Sequence, residues 1–407
     1  MPTNYSGSVV DAALLKRIKQ AAADLQSSVV GWRRYLHQQP ELSFKEYNSA
    51  AFVKAKLDEW QIAWQPIAGT GVLATLQGKQ PGNQTIALRA DLDALPIQES
   101  NTTSYASASP GIMHACGHDA HTASLLGTAA ILQNIRDDFG GTVKLLFQPA
   151  EEVLPGGAGM MIAEGALSNP VPASIIGQHV SPALPVGKIG IRAGKFMASM
   201  DEISLLVKGR GGHGAQPHLN IDPVMITAQL LTALQQVVSR RANPFIPTVL
   251  SFGKIEAKGA FNIIPNEVFL QGTFRTFDEE WREEAHRLLT NMAIQTAQSM
   301  GGECMVNINK GYPYLVNDEA VTKVLRETAI RYLGRENVVD IDPWMAAEDF
   351  ARYSHALPAC FYLLGIANEP AGITASLHSP AFDIDEASLA ISTGLMACIA
   401  IEQLSIY

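Results

Sequence analysis

Thr142-Val-Lys-Leu-Leu-Phe147 runs directly into Gln148-Pro-Ala-Glu-Glu152: an apolar strand-like run stops at a proline and then presents two adjacent carboxylates. The pattern occurs upstream as well, where Thr85-Ile-Ala-Leu-Arg-Ala90 runs into Asp91-Leu-Asp93 and Gly71-Val-Leu-Ala-Thr-Leu76 reads as another strand. Around these runs lie stretches with apolar residues at helical spacing: Val10 to Leu36, Tyr47 to Trp60 after the Pro40 break, and Thr122 to Leu132. Strands alternating with long helices predict an α/β domain on a mostly parallel sheet flanked by helices. Ligands gather beyond the C-terminal strand ends of such sheets. Asp91, Asp93, Glu151 and Glu152 therefore fall where a site is expected. A further strand, Ala173-Ser-Ile-Ile-Gly177, ends at Gln178-His179.

The character then changes. From Ile203 the order reads strand to Lys208, glycine-rich turn, helix Pro223 to Arg240, strands Thr248 to Ile255 and Glu267 to Arg275, helix Glu279 to Met300, and strand Cys304 to Asn309. This is an α+β block large enough to fold alone, and we place it as an inserted domain over residues 195–311. The α/β pattern resumes with a helix from Glu319 to Tyr332, a strand near Cys360 to Leu364 and a final helix from Asp385 to Gln403. Residues 1–194 and 312–407 are then one discontinuous domain.

With 407 residues, 47% hydrophobic and only 17% charged, the chain has material for two cores. Met1 to Gly7 lacks a basic region followed by an apolar one, and no apolar stretch approaches the roughly 20 residues of a membrane span. We expect no membrane association and a cytoplasmic location. Four widely spread cysteines (Cys116, Cys304, Cys360, Cys398) suit a reducing compartment better than a disulfide framework. Lys plus Arg total 30 against 39 for Asp plus Glu, without a basic block, which speaks against nucleic acid as a partner.

His114-Ala-Cys-Gly-His-Asp-Ala-His121 gathers a thiol and imidazoles just before a helix-forming run. Any one of these is more often a buried core residue; as a cluster they read as half of a metal site. If the backbone is extended there, Cys116 and His118 leave the same side and can converge on one ion. Glu151 and Glu152 could divide the tasks of a metallohydrolase, one as ligand and one as proton acceptor. His179 follows a strand, and His378 sits in Ser376-Leu-His-Ser-Pro380. Together with Cys116, His118 and Glu152 they offer N, S and O donors, a mixture that suits zinc or manganese and not calcium. Five ligands exceed the three of one catalytic zinc, so two ions are the economical reading. Gly209-Arg-Gly-Gly-His-Gly214 fits G-x-G-x-x-G, yet Gln229 to Arg241 holds no carboxylate for a ribose; a loop presenting His213 fits better than a dinucleotide fold. Arg275 could hold a carboxylate bidentately. A zinc nucleobase deaminase lacks its Pro-Cys-x-x-Cys here.

These stretches, with Arg89-Ala-Asp-Leu-Asp-Ala-Leu-Pro96, Asn262-Ile-Ile-Pro265, Gly272-Thr-Phe-Arg275 and Ala347-Glu-Asp-Phe350, stand in the order found in one family. The chain resembles the aminoacylase, hippurate hydrolase and indole-acetyl-amino-acid amidohydrolase group of dinuclear metallohydrolases, kin of the glutamate carboxypeptidases. The resemblance implies hydrolysis of the amide bond of an N-acyl amino acid. It implies that Cys116, His118, Glu152, His179 and His378 ligate two divalent ions, zinc or manganese, with Glu151 as general base and acid. It also implies an inserted lid domain that forms a homodimer and supplies His213 across it, with Asn262 and Arg275 lining the substrate's carboxylate end. The carboxypeptidase kin carry His-x-Asp where this chain has Asp91-Leu-Asp93, which leaves Asp93 to orient a ligand.

Overall fold

The computed structural model describes residues 9–405; the opening Met1 to Ser8, on which the expectation about a leader rested, lies outside the described residues. The chain divides into two compact units. The first holds residues up to Phe196 with Val316–Asp342 and Asp349 onward; the second holds Met197–Leu315 with Pro343–Glu348. The inserted block expected over 195–311 compares with this second unit, which also takes in the short segment 343–348.

The first unit is built on an eight-stranded sheet in the order Ala63–Ile67, Gly71–Gln77, Gly140–Gln148, Gln80–Asp91, Ser174–Pro185, Ala359–Ala367, Ile189–Ile191, Val338–Asp340. Its centre is parallel: 140–148 pairs with 80–91, 80–91 with 174–185, and 174–185 with 359–367. The edge Ala63–Ile67 and the pair 71–77 with 140–148 run antiparallel, so the sheet is mixed around a parallel core. The central strands are buried on both faces, which is why Val143, Leu145, Leu146 and Phe147 form a near-continuous apolar run. Lys144 is the exception within that run, and its Nζ reaches the carbonyls of Ala166 and Ser168.

Helices Ala12–Gln38, His118–Asn134 and Ala387–Gln403 pack on one another in the same core. The first is capped by Asp11, whose carboxylate accepts from Leu14 N at 2.8 Å, and it buries Leu14, Ile18, Ala22 and Val29 at helical spacing. The second is buried nearly all round, and at Gly127 an added Cβ would meet Thr393 Cγ2 at 2.7 Å and Val29 Cγ2 at 2.9 Å. Only glycine lets the three helices approach so closely. Arg33 of the first helix, fully buried, ties it to the second through Asp119 at 2.8 Å and to the segment ahead of the third through Asp383 at 2.8 Å. Among the described residues no helix is long and apolar enough to cross a membrane.

The second unit has a four-stranded antiparallel sheet, Thr248–Ala257, Glu267–Thr276, Asp201–Lys208, Glu303–Lys310. Asp201–Lys208 alternates buried residues with exposed or half-buried ones, so one face packs. Ile203, Leu205 and Val207 meet Leu230 and Leu234 of helix Pro223–Gln236 and Leu289 and Ala293 of helix Glu279–Ser299.

Three local expectations need correction. The strand expected to stop at Gly177 continues to Pro185, because Gln178 and His179 keep their ladder with Tyr362 and Leu363. His179 thus projects from within a strand. Cys116 and His118 are not joined by extended backbone: Gly117 sits at φ 86°, in the left-handed region, and His118 opens the helix. An added Cβ at Gly117 would lie 2.4 Å from Val180 Cγ2, so the turn needs glycine twice over. The helix from Pro223 ends as an α-helix at Gln236 and continues as a π turn over Val237–Arg241.

Candidate metal centre

Two strand ends, one position within a strand and one helix start define the site of the first unit. The strand Gln80–Asp91 delivers Asp91 and then Asp93, Gly140–Gln148 delivers Glu151 and Glu152, Ser174–Pro185 delivers His179, and the turn at Gly117 delivers Cys116 and His118. His378 arrives from a loop in which its own φ is 62°, held by its N–H donating to Ala115 O at 2.8 Å. A non-glycine residue persists in that region only where its surroundings over-determine it.

The donor atoms converge. Cys116 Sγ lies 3.4 Å from His179 Nε2, His118 Nε2 lies 3.9 Å from Glu152 Oε1, and His378 Nε2 lies 3.5 Å from the same oxygen. Cys116, His118 and His179 bring donors within 4.8 Å of one another, as do Cys116, Glu152 and His378, and His118, Glu151 and Glu152. His118 Nε2 and Glu152 Oε1 are buried without a hydrogen-bond partner. Their contacts at 3.5 Å and beyond are too long to serve as one. Buried polar atoms in that condition are costly unless a ligand meets them.

The far side of each ring is fixed. His179 Nδ1 donates to Val180 O at 2.7 Å, leaving Nε2 toward Cys116. His118 Nδ1 meets Asp93 Oδ1 at 3.2 Å, leaving Nε2 inward. This carboxylate–histidine pairing is how metal-ligating rings are oriented. Asp93 is held in turn, its Oδ2 accepting from Ser43 Oγ at 2.6 Å and from Glu152 N at 3.0 Å. His121 does a different job. Its Nε2 accepts from Val180 N at 2.9 Å and its Nδ1 meets Asp91 Oδ1 at 2.7 Å, so although it stands with Asp91 and His118 as a possible donor set, it has no lone pair to give an ion.

The electrostatics ask for positive charge. Burial, and then Glu152, Glu151 and Asp91, push the Cys116 thiol well above its ordinary range. Burial works against a charge on His118, yet Asp91, Asp93 and Glu152 raise it to about 10. His179 is held well below the usual imidazole range by burial and by His121, in the neutral form that a ligand needs. Without a cation the cluster keeps a proton on His118 to offset its carboxylates. A divalent ion held by these residues would take that proton's place and leave Cys116 as a thiolate. The donor set fits such an ion.

Behind the site, Arg89 ties the strand ends. It donates to Gln148 Oε1 at 2.9 Å, Asp91 Oδ2 at 2.6 Å and Asp349 Oδ1 at 2.9 Å. Asp349 also accepts from Gln148 Nε2 at 2.7 Å and from Ala158 N at 2.9 Å, and its own N–H points at Glu151 Oε1, 3.4 Å away. The sequence held a signal for this: a charged Arg89 within an apolar strand requires buried partners.

Residues 87–402 match the profile described as Peptidase family M20/M25/M40. The chain belongs to this family. It is a hydrolase, in agreement with the resemblance read from its motifs. Among relatives, it is 41% identical over 366 residues to an N-acetyl-L-cysteine deacetylase of Bacillus subtilis, covering 90% of this chain and 85% of that one. It is 43% identical over 303 residues to an N-acyl-L-amino acid amidohydrolase of Geobacillus stearothermophilus, covering 74% and 81%. A crystal structure of the Bacillus subtilis YXEP protein, described as a dinuclear metal binding peptidase from the M20 family, superimposes with a TM-score of 0.79 at 34% identity over 93% of this chain and 98% of that one.

The remaining expected site residues lie in the second unit. His213 and Ile263 pair in a two-stranded ribbon, beside Asn262, whose carbonyl accepts from Gly214 N at 2.9 Å. Both His213 and Asn262 are exposed. Arg275 is half-buried in Glu267–Thr276 and donates to Met345 O at 3.3 Å.

Proposed function

We propose that this M20-family chain hydrolyses the amide bond of N-acyl amino acids, using two divalent ions held by Cys116, His118, Glu152, His179 and His378 with Glu151 as general base and acid. The observation that carries it is the pair of buried, unpartnered atoms His118 Nε2 and Glu152 Oε1 amid a converging N, S and O donor set, with Glu151 alongside. When bound, the ions supply Lewis acidity, making a water acidic near neutral pH and polarising the acyl carbonyl. Glu151 would take a proton from the attacking water as its oxygen bonds to the acyl carbon, and would return that proton to the amine nitrogen as the C–N bond breaks, so that a carboxylate and a free amino acid leave. His213, from a second copy of the chain, donates toward the carbonyl oxygen as charge builds on it. Asn262 and Arg275 hold the substrate's own carboxylate.

The deacetylase and amidohydrolase relatives support the substrate class. Imidazole, thiolate and carboxylate together favour zinc or manganese. The net charge of -9 supports a small-molecule substrate over nucleic acid. Four buried free cysteines support a cytoplasmic setting, and we place a homodimer interface in the second unit. The test is Glu151→Ala, which is expected to keep its metals by elemental analysis while turnover of an N-acyl amino acid falls at least roughly 10²-fold. Loss of the metals together with turnover would leave the assignment of Glu151 as the base unsupported. Whether His213 acts across the dimer is read by mixing His213→Ala with Glu151→Ala. Activity returns in the mixed dimer if it does and stays lost if it acts within its own subunit.

A further inference from the structure

The loop from Pro40 to Glu46 joins helix Ala12–Gln38 to helix Tyr47–Glu59 and carries none of the residues expected at the site, yet it grips the site at two places. At the first, Ser43 Oγ donates to Asp93 Oδ2 at 2.6 Å, and the Glu41 carbonyl accepts from Ala94 N at 2.8 Å. At the second, the fully buried Glu46 reaches across 104 positions of sequence to accept from Ala150 N at 2.8 Å.

The second grip is unusual in what it holds. Ala150 stands immediately before the Glu151-Glu152 pair with φ 50°, and Phe44, in the loop itself, has φ 64°. Neither is glycine, so both occupy a backbone region that side chains disfavour. One oxygen, Glu46 Oε1, accepts from both, Phe44 N at 2.9 Å and Ala150 N at 2.8 Å. The other, Oε2, accepts the hydroxyl of Thr70, just ahead of strand Gly71–Gln77. The turn at Ala150 sets the direction in which Glu151 leaves the backbone. No apolar side chain could supply two acceptors at that point.

We propose that Glu46 is a positioning residue for hydrolysis: its carboxylate locks the left-handed turn at Ala150 and so aims Glu151, while Ser43 in the same loop steadies Asp93. The proposal rests on the reading of Glu151 as the base. Because Glu46 acts on an angle and not on the substrate, its loss lowers kcat with little change in KM and leaves the ions in place. A misplacement of about 1 Å at a reacting group can cost on the order of 10²-fold.

The experiment compares Glu46→Ala and Glu46→Gln in the full-length, metal-analysed enzyme. Glu46→Ala is expected to keep its metal content and lose at least about 10-fold in kcat, with KM within about 2-fold. Glu46→Gln retains an oxygen for both N–H groups and is expected to recover to within about 3-fold of the parent. Added to Glu151→Ala, Glu46→Ala is expected to cost nothing further, since the group it aims is gone. Amide exchange in the segment 147–153 should quicken in Glu46→Ala while the helix His118–Asn134 stays protected. Unchanged kcat, a full further loss in the Glu151→Ala background, or loss of metal would each overturn the proposal. Should Glu46→Ala fail to fold, Glu46→Asp, one methylene shorter, is read the same way. A parent enzyme inactive on every N-acyl amino acid would instead sink the proposed reaction. The exchange experiment still decides the grip in that event, and unchanged exchange at 147–153 would overturn it.

Discussion

The donor cluster of the first unit and the His213 ribbon of the second are built on opposite principles. The ring nitrogens of His118 and His179 that are not aimed inward have buried partners, Asp93 on His118 and the Val180 carbonyl on His179. His213 is exposed; its Nδ1 accepts from Ala215 N at 3.0 Å, and its ribbon is two residues wide. The difference teaches what each place can do unaided. On the proposed reading the first group holds ions, and ion ligands must be held to a few tenths of an ångström before the ion arrives, which the fixed hydrogen bonds on the far side of these rings would do. A group that meets a passing substrate can remain open on the surface, where sequence change affects the reaction and hardly the fold.

That contrast can be broken by measurement. The largest expected effect is on catalysis from the exposed side: His213→Ala should lower turnover by roughly 10²–10³-fold, the cost of removing an oxyanion donor, with metal content and melting temperature unchanged. Metal loss in that variant would mean that the ribbon supports the buried cluster after all. Next comes Asp93→Ala, expected to weaken metal affinity by about 10–100-fold in competition with a chelator while leaving the chain folded. Full retention would detach Asp93 from His118. Third is pH. Burial holds His114 down at about 4, whereas an exposed imidazole titrates near 6.5. Between those values the unfolded chain takes up a proton that the native state refuses, so stability is full above about 6.5 and falls as pH drops toward 4. His114→Asn should remove a fall on the order of 2 kcal/mol between pH 7 and 5 in denaturant titrations. An identical slope in the variant would assign the fall to other groups. Smallest is His218→Ala, on the exposed turn Pro217–Leu219 near the ribbon, which should change stability by no more than about 0.5 kcal/mol.

How much of this was legible in the sequence follows from how far each signal reaches. The carboxylates after the strands at Asp91 and Gln148 stood out because apolar runs end at them, and strand ends are where parallel sheets place ligands. His179 was tied to a strand end that lies further on, since nothing local announces that Gln178 and His179 keep pairing with Tyr362 and Leu363. The nearness of Cys116 and His118 was legible, but its geometry was not: a left-handed Gly117 replaces the extended backbone because the helix begins at His118, four residues before the run that the apolar spacing marks from Thr122. Glu46 was invisible. It reads as an ordinary polar residue before a helix, and the peptide it holds lies more than a hundred residues away. The Arg89, Gln148 and Asp349 network was half visible, as a charge in an apolar strand whose partners only the fold could name.

Everything central here depends on the five donors sharing two cations. The direct measurement is anomalous diffraction from crystals of the enzyme prepared with its native ions, paired with elemental analysis of the same sample. The account predicts two ions per chain, within about 2.0–2.3 Å of donor atoms of Cys116, His118, Glu152, His179 and His378. Full hydrolytic activity in enzyme stripped of its ions, or ions bound away from these side chains, would contradict it.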